Sequence, residues 1–236
     1  FFGFIGPNGS GKSPAIRTLL GLIKATSGKA KVFGNDIESQ QTAILKDVGY
    51  MPSEAMFYSG MRVKDILKLS AKLRGIDCTE EAEALCARLK LDVLKKVETL
   101  SLGNRKKVSI VCALQHRPSL YILDEPTSGL DPLMQKEFFN ILAERHQEGA
   151  TIFLSSHVLT EIQQYCERAA IIRNGEIIAC DTTENLAKTT AKKISLKGIS
   201  TLPTIAGCFN IKTYDTHVDF LYSGPIKELL TAIEPL

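Results

Sequence analysis

Residues 4–14 read FIGPNGSGKSP, an apolar run that breaks into Gly6, Gly9 and Gly11 and then Lys12, Ser13 and Pro14. The spacing Gly6-x-x-x-x-Gly11-Lys12-Ser13 fits a phosphate-binding loop, and such a loop leaves a chain few folds to choose from. It needs a strand before it and a helix after it. The glycines let the backbone wrap so that successive N–H groups converge on phosphate oxygens, and the helix adds its positive N-terminus. Phe1–Ile5 reads as that strand and Ser13–Ile23 as that helix. With glycine near 7 % of residues, the pattern arises by chance in about one chain per hundred, before its context is counted. Lys12 supplies positive charge, and Ser13 a hydroxyl for Mg²⁺.

The rest of the chain alternates short apolar runs with amphipathic stretches, which predicts an α/β fold with a mostly parallel sheet. KAKVFG (29–34) reads as a short strand, QQTAILKDV (40–48) as a helix, and VGYMP as a strand end. VKDILKLSAKL (63–73) sets Val63, Ile66, Leu67, Leu69 and Leu73 mainly along one helical side; further helices are expected at 80–90 and 104–116. A long helix follows Pro132, with Met134, Phe138, Ile141 and Leu142 on one face. TIFLSSH (151–157) is another strand, and AAIIRNGEIIAC a hairpin closed by an Asn-Gly type I′ turn. From about residue 190 a small β/α unit is expected, with strands in AKKISLKG and HVDFLYSG and a helix over Pro225–Ile233 carrying Ile226, Leu229, Leu230 and Ile233 on one face.

Two further strands end in polar groups. LYILDE finishes in Asp124 and Glu125: one carboxylate can hold Mg²⁺, and its neighbour can orient or deprotonate an attacking water. His157 lies just past the next strand. Carboxyl ends of strands are where open α/β sheets bind ligands. In TLSLGNRKKVSIVCAL, Ser101, Gly103 and Asn104 open a helix whose first turn carries Arg105, Lys106 and Lys107. Cations there oppose the helix dipole by roughly 0.3–1 kcal/mol each. Either the turn is solvated and tolerates this, or an anion docks on it.

Among 236 residues, 44 % apolar and 23 % charged, no run approaches the roughly 18 apolar residues of a membrane span, so a membrane role is expected to run through a partner. A net charge of +3 is too mild to suggest nucleic acid as a partner. The cysteines at 78, 86, 112, 166, 180 and 208 form no Cys-x-x-Cys pair and read as reduced packing residues. The opening at Phe1, directly on a strand, reads as a chain whose natural N-terminus lies upstream.

In order, these motifs resemble the nucleotide-binding subunit of an ATP-binding cassette (ABC) transporter over roughly residues 1–185, nearest the ABC-2 type drug and peptide exporters. GPNGSGKS matches the Walker A loop, LYILDEP the Walker B strand, SGLD (128–131) the D-loop and SSH the histidine switch; LSLGN (100–104) takes the place of the signature. The resemblance implies a P-loop NTPase cassette over 1–189 with a helical signature subdomain at about 54–117, and an accessory unit over 190–236. It implies ATP held by Gly6, Pro7, Asn8, Gly9, Ser10, Gly11, Lys12, Ser13 and Pro14, and Mg²⁺ held by Ser13, Asp124 and the glutamine-loop position Ser53. Glu125 is then the general base and His157 a γ-phosphate contact. It further implies a head-to-tail dimer or paired cassette with ATP at the interface, met from across it by Ser101, Gly103 and Asn104 and coupled through Asp131. A membrane permease contacted through 53–74 follows, with the chain peripheral on the cytoplasmic face of the membrane.

Four departures stand out: Ser53 for glutamine, Leu102 for the first signature glycine, the absence of the upstream adenine-stacking aromatic, and Pro14 for threonine or serine. Proline costs the phosphate one N–H donor while sitting in a helical turn that tolerates it. The departures leave an alternative, a regulatory module that binds nucleotide without useful turnover. A soluble cassette ATPase of translation or DNA repair is a third reading, opposed by the lack of tandem cassettes or coiled-coil insertions.

Overall fold

A computed structural model describes residues 1–54, 56–189, 192–199, 201–203, 205–222, 224 and 226–233. The chain divides into two compact units, Phe1–Cys180 and Asp181–Leu236. The first runs β1 (Phe2–Ile5), α1 (Lys12–Leu19), β2 (Lys31–Val32), β3 (Asn35–Asp36), α2 (Gln41–Lys46) and β4 (Val48–Met51). Three helices follow before the next strand: α3 (Val63–Arg74), α4 (Thr79–Arg88) and α5 (Leu102–Leu114). Then come β5 (Leu120–Asp124), α6 (Pro132–Gln147), β6 (Thr151–Ser156), α7 (Leu159–Tyr165), β7 (Arg168–Arg173) and β8 (Glu176–Thr182), whose last residues pass the boundary.

The sheet has the order β4-β5-β6-β1-β7-β8, and the pairs from β4 through β7 are parallel. Parallel strands covered on both faces are apolar throughout, and β5 and β6 place Tyr121, Leu123, Ile152 and Leu154 fully out of solvent. The α6 face of Met134, Phe138, Ile141 and Leu142 is buried as its spacing predicts. Ile16 of α1 and Leu20 just past its end pack with Ile44, Val48 and Ile122, which fixes the helix behind the phosphate loop onto the sheet. At the β7–β8 turn Asn174 and Gly175 take φ of 51° and 82°, the two positive values a type I′ turn requires.

Several boundaries differ from expectation. α1 stops at Leu19 rather than Ile23, because Gly21 turns left-handed (φ 67°) and closes a Schellman motif: Leu22 N–H donates to Arg17 O (2.8 Å) and Gly21 N–H to Thr18 O (2.9 Å). The strand expected at 29–34 shrinks to β2, which pairs with β3 across Phe33 and Gly34, both at positive φ. In α3 the apolar stripe splits: Val63, Ile66 and Leu67 are buried, but Leu73 is 80 % exposed. Cys78, Cys86 and Cys166 are buried, and burial pushes the Cys86 thiol up to about 11 and Cys166 to about 12, whereas Cys180 is exposed.

The second unit holds α8 (Thr183–Thr189), β9 (Lys192–Lys197), β10 (Cys208–Thr213), β11 (His217–Tyr222) and α9 (Ile226–Ile233). Its antiparallel sheet has the order β10-β11-β9, with Val218, Phe220, Tyr222 and Leu229 at its core. Of the expected α9 face, Leu229 is buried and Ile233 packs against the core, while Ile226 and Leu230 stay open. Pro225 and Ala191, at the ends of expected elements, lie outside the described residues.

His116, after α5, faces the Val48 carbonyl and lies near Arg74 and Asp47; burial and then the Arg74 charge lower its pKa from 6.5 to about 4. Between those values the unfolded chain binds a proton that the folded chain refuses, so stability falls as pH drops through this window. The shift converts to about 3 kcal/mol at most, and solvent screening of a partly exposed ring reduces it to about 1–2 kcal/mol. Chemical denaturation at pH 7 and pH 4.5 is expected to show that loss, and His116→Gln to flatten it.

Candidate active site

Strand register assembles the site. Ile5 pairs with Ser156 and Asp124 with Ser155, so the residues that follow β1, β5 and β6 emerge side by side at one sheet edge. The loop after β1 is tight: a Cβ on Gly6 would lie 2.4 Å from Ile172 O and 2.5 Å from Ser10 Oγ, so no larger residue fits. Gly9 and Gly11 take φ of 80° and 105°, open to glycine at little cost. Ser10 N–H donates to Pro7 O (3.1 Å), but the N–H groups of Gly9, Gly11, Lys12 and Ser13 meet no acceptor among the described residues. Four free donors around a helix start make an anion nest.

Lys12 is 6 % exposed and its ammonium donates to Gly6 O (2.6 Å) and Pro7 O (3.2 Å), with Glu125 Oε1 at 3.3 Å. The loop therefore folds around its own cation. Pro14 is exposed at the third position of α1, where an N–H would have no helical acceptor. The carbonyl one turn back, on Ser10, accepts from Gly175 N–H instead (2.9 Å), so proline breaks no bond of the fold.

Asp124 is fully buried. Ser155 Oγ–H donates to its Oδ1 (2.5 Å), and Oδ2 has no partner among the described residues. Glu125 takes φ 49°, a left-handed value uncommon outside glycine, and its N–H donates to Ser155 O (3.2 Å) and Oγ (3.1 Å). That turn carries its carboxylate between Lys12 and His157, whose Nδ1–H donates to Oε2 (2.6 Å). A buried carboxylate oxygen without a partner, beside a hydroxyl-bearing phosphate loop, suits a hard divalent cation that takes oxygen ligands. Asp124, Ser13 and the loop thus fit Mg²⁺.

Ser53 enters through its backbone. Lys106, expected in a solvated or anion-binding turn, is 3 % exposed, and its ammonium donates to Ser53 O (2.8 Å). Burial lowers the Lys106 pKa, while Asp124, Glu125 and Glu54 act to raise it. Its charge is directed inward, toward the strand-end carboxylates of its own chain; Lys107 is also buried and Arg105 alone is exposed. The helical period could not reveal this, because α5 is buried on nearly all sides from Lys106 to Leu114 and shows no single apolar face. Removing a charge-assisted bond of about 1.5–3 kcal/mol frees the turn it holds. Lys106→Met is expected to speed amide exchange over 51–54 by about tenfold or more; unchanged exchange would show that other contacts fix the turn.

Ser101 caps α5 by accepting from Asn104 N–H (3.3 Å) and is exposed. Leu102, 65 % exposed, lies over Gly129, and a Cβ on Gly103 would stand 2.7 Å from Gly129 O. The start of α5 and the turn at 128–131 therefore approach backbone to backbone. Asp131 caps α6 by accepting from Met134 N–H (3.0 Å). No described contact joins Ser101, Gly103, Asn104 or Asp131 to the phosphate loop of the same chain.

Among α/β folds, a phosphate loop facing strand-end carboxylates is the arrangement of the P-loop NTPases. The ABC transporter family profile matches residues 1–128, and an AAA domain profile, described as a putative AbiEii toxin of a Type IV TA system, matches 96–162. The bacitracin transport ATP-binding protein BcrA of Bacillus licheniformis is 34 % identical over 224 residues, covering 92 % of this chain and 73 % of that protein. The probable multidrug ABC transporter ATP-binding protein YbhF of Escherichia coli K12 is 31 % identical over 190 residues, 78 % of this chain but 33 % of its own length. A solved ATP binding subunit of an ABC transporter superposes with a TM-score of 0.74 at 30 % identity, covering 79 % of this chain and 80 % of that one. The chain belongs to the ABC transporter ATP-binding proteins, a family of ATPases.

Proposed function

We propose that this chain hydrolyses ATP to drive export of a drug, peptide or similar substrate through a separate membrane permease. The observation that carries the reading is Glu125, held by its backbone turn between Lys12 and His157. Lys12 exchanges the Gly6 and Pro7 carbonyls for phosphate oxygens, and the free N–H groups of Gly9, Gly11, Lys12 and Ser13 cradle them. Asp124 Oδ2 and the Ser13 hydroxyl would hold Mg²⁺, which would supply positive charge against the phosphates. Glu125 takes a proton from the attacking water, and His157 fixes the Glu125 carboxylate and reaches the γ-phosphate. Exposed Ser101, with Gly103 and Asn104, supplies the phosphate contacts of a second copy or a paired cassette, and Asp131 links the two sites.

A groove of about 560 Å³ beside α3 is lined by Leu22, Leu45, Tyr50, Met56, Tyr58 and Leu73. Met56 is 89 %, Tyr58 74 % and Leu73 80 % exposed, which is costly for an unpartnered surface. This exposure supports reading the groove as the permease contact expected within 53–74, with the chain peripheral on the cytoplasmic face of the membrane. No helix among the described residues is long and apolar enough to cross one. The full-length chain in its own cells is expected to sediment with membranes, and Tyr58→Asp with Leu73→Asp to release it with ATP affinity unchanged. A native chain found wholly in the soluble fraction contradicts the proposal.

A further inference from the structure

A second groove, of about 530 Å³, opens on the other side of α3, between α3 and α4. The volume falls in the range of small-molecule sites, about 300–1,000 Å³. Leu67, Ala71, Ala82, Cys86 and Val93 make its walls apolar. Along its rim stand Lys64, Lys68 and Lys72, spaced i, i+4, i+8 so that they stack on one helix edge. All three are exposed, and none forms an ion pair among the described residues. Like charges at this spacing repel, so the row destabilises α3 unless an anion lies across it. On the facing rim the Asp77 carboxylate is committed to the start of α4, accepting from Thr79 N–H (2.9 Å) and Oγ1–H (2.7 Å); Glu83 is exposed there.

The floor carries the second observation. Gln115 lines the groove and is 2 % exposed. Its Nε2–H donates to Leu67 O (3.1 Å), but its Oε1 is buried with no partner among the described residues. Buried acceptors are nearly always satisfied, because leaving one unpaired costs its desolvation. A ligand for this groove therefore combines three features: an apolar body for the walls, an anionic group for the lysine row, and an O–H or N–H donor at the deep end for Gln115.

We propose that the α3–α4 groove binds a small anionic amphiphile of this kind, an ω-hydroxylated long-chain carboxylate being its simplest form. The site is separate from the nucleotide site, and its occupancy does not depend on the export reading. One consequence does rest on that reading: α3 also walls the permease groove through Ile66, Leu69 and Leu73, so an amphiphile would act on the helix that meets the permease.

Isothermal titration of the full chain with 12-hydroxydodecanoate, kept below its micelle concentration, tests the site. The expected result is saturable one-to-one binding, tighter than for dodecanoate and much tighter than for dodecyltrimethylammonium. Lys64→Gln with Lys68→Gln and Lys72→Gln, three surface changes, weakens it about tenfold. Ala71→Phe fills the groove and removes it, and Gln115→Met erases the preference for the hydroxylated chain. Circular dichroism melting identifies any variant that fails to fold, and the ligand comparison on the native chain stands without variants. Equal affinity for the carboxylate and the quaternary ammonium, no preference for the hydroxyl, or no saturable binding overturns the proposal.

Discussion

Glu125→Gln is expected to leave ATP affinity within about twofold, to lower turnover by about 10²–10⁴, and to accumulate an ATP-bound dimer. The rate loss is the range that a positioned general base contributes. Glutamine keeps the size and hydrogen-bonding capacity of the side chain but cannot take a proton from water. The dimer accumulates because closure around nucleotide persists when the step that ends it is removed. Turnover by stopped-flow phosphate release and dimer mass by light scattering read the two effects separately. Unchanged turnover would remove Glu125 from the base role, whatever the dimer does. One complication is built into the site: Glu125 Oε1 stands 3.3 Å from the Lys12 ammonium, so neutralising it also releases the lysine. A modest rise in ATP affinity within the stated limit is the expected sign of that release.

Pro14→Thr carries the second large effect. It restores an N–H at the edge of the anion nest and adds a hydroxyl, without disturbing a bond that the fold makes, since Ser10 O is already engaged by Gly175. A hydrogen bond to a charged group contributes about 1.5–3 kcal/mol, so ATP affinity is expected to rise about tenfold or more. The thermal midpoint without nucleotide should move little, because the first turn of a helix has no acceptor for that N–H. Titration with ATP measures the gain. An unchanged dissociation constant would mean that the other four loop donors already satisfy the phosphate.

The site was legible in the sequence to the extent that it is built from local backbone geometry. Gly6, Gly9 and Gly11 announce a loop that only small residues can make, and Asp124, Glu125 and His157 follow short apolar runs that read as buried strands. Periodicity implied a parallel sheet, and with it that strand ends share an edge. What stayed hidden depends on which surfaces meet. Leu73 shares a helical stripe with Ile66 yet is 80 % exposed, because it stands at a groove that the described residues line but do not fill. Lys106 carries its charge inward to Ser53 O, a contact between residues 53 positions apart in sequence. Leu102 rests on Gly129, a pairing that the motif order does not encode. β10 escaped notice because CFNIKT alternates too weakly to mark a strand without its partner β11.

The most direct test of the account is steady-state phosphate release from Mg-ATP by the native full-length chain, measured against Glu125→Gln under the same conditions. Release well above the variant is expected of an intact Lys12, Asp124, Glu125 and His157 set. Release no greater than that of Glu125→Gln, in a preparation that binds ATP, would contradict it and leave a cassette that binds nucleotide without using it.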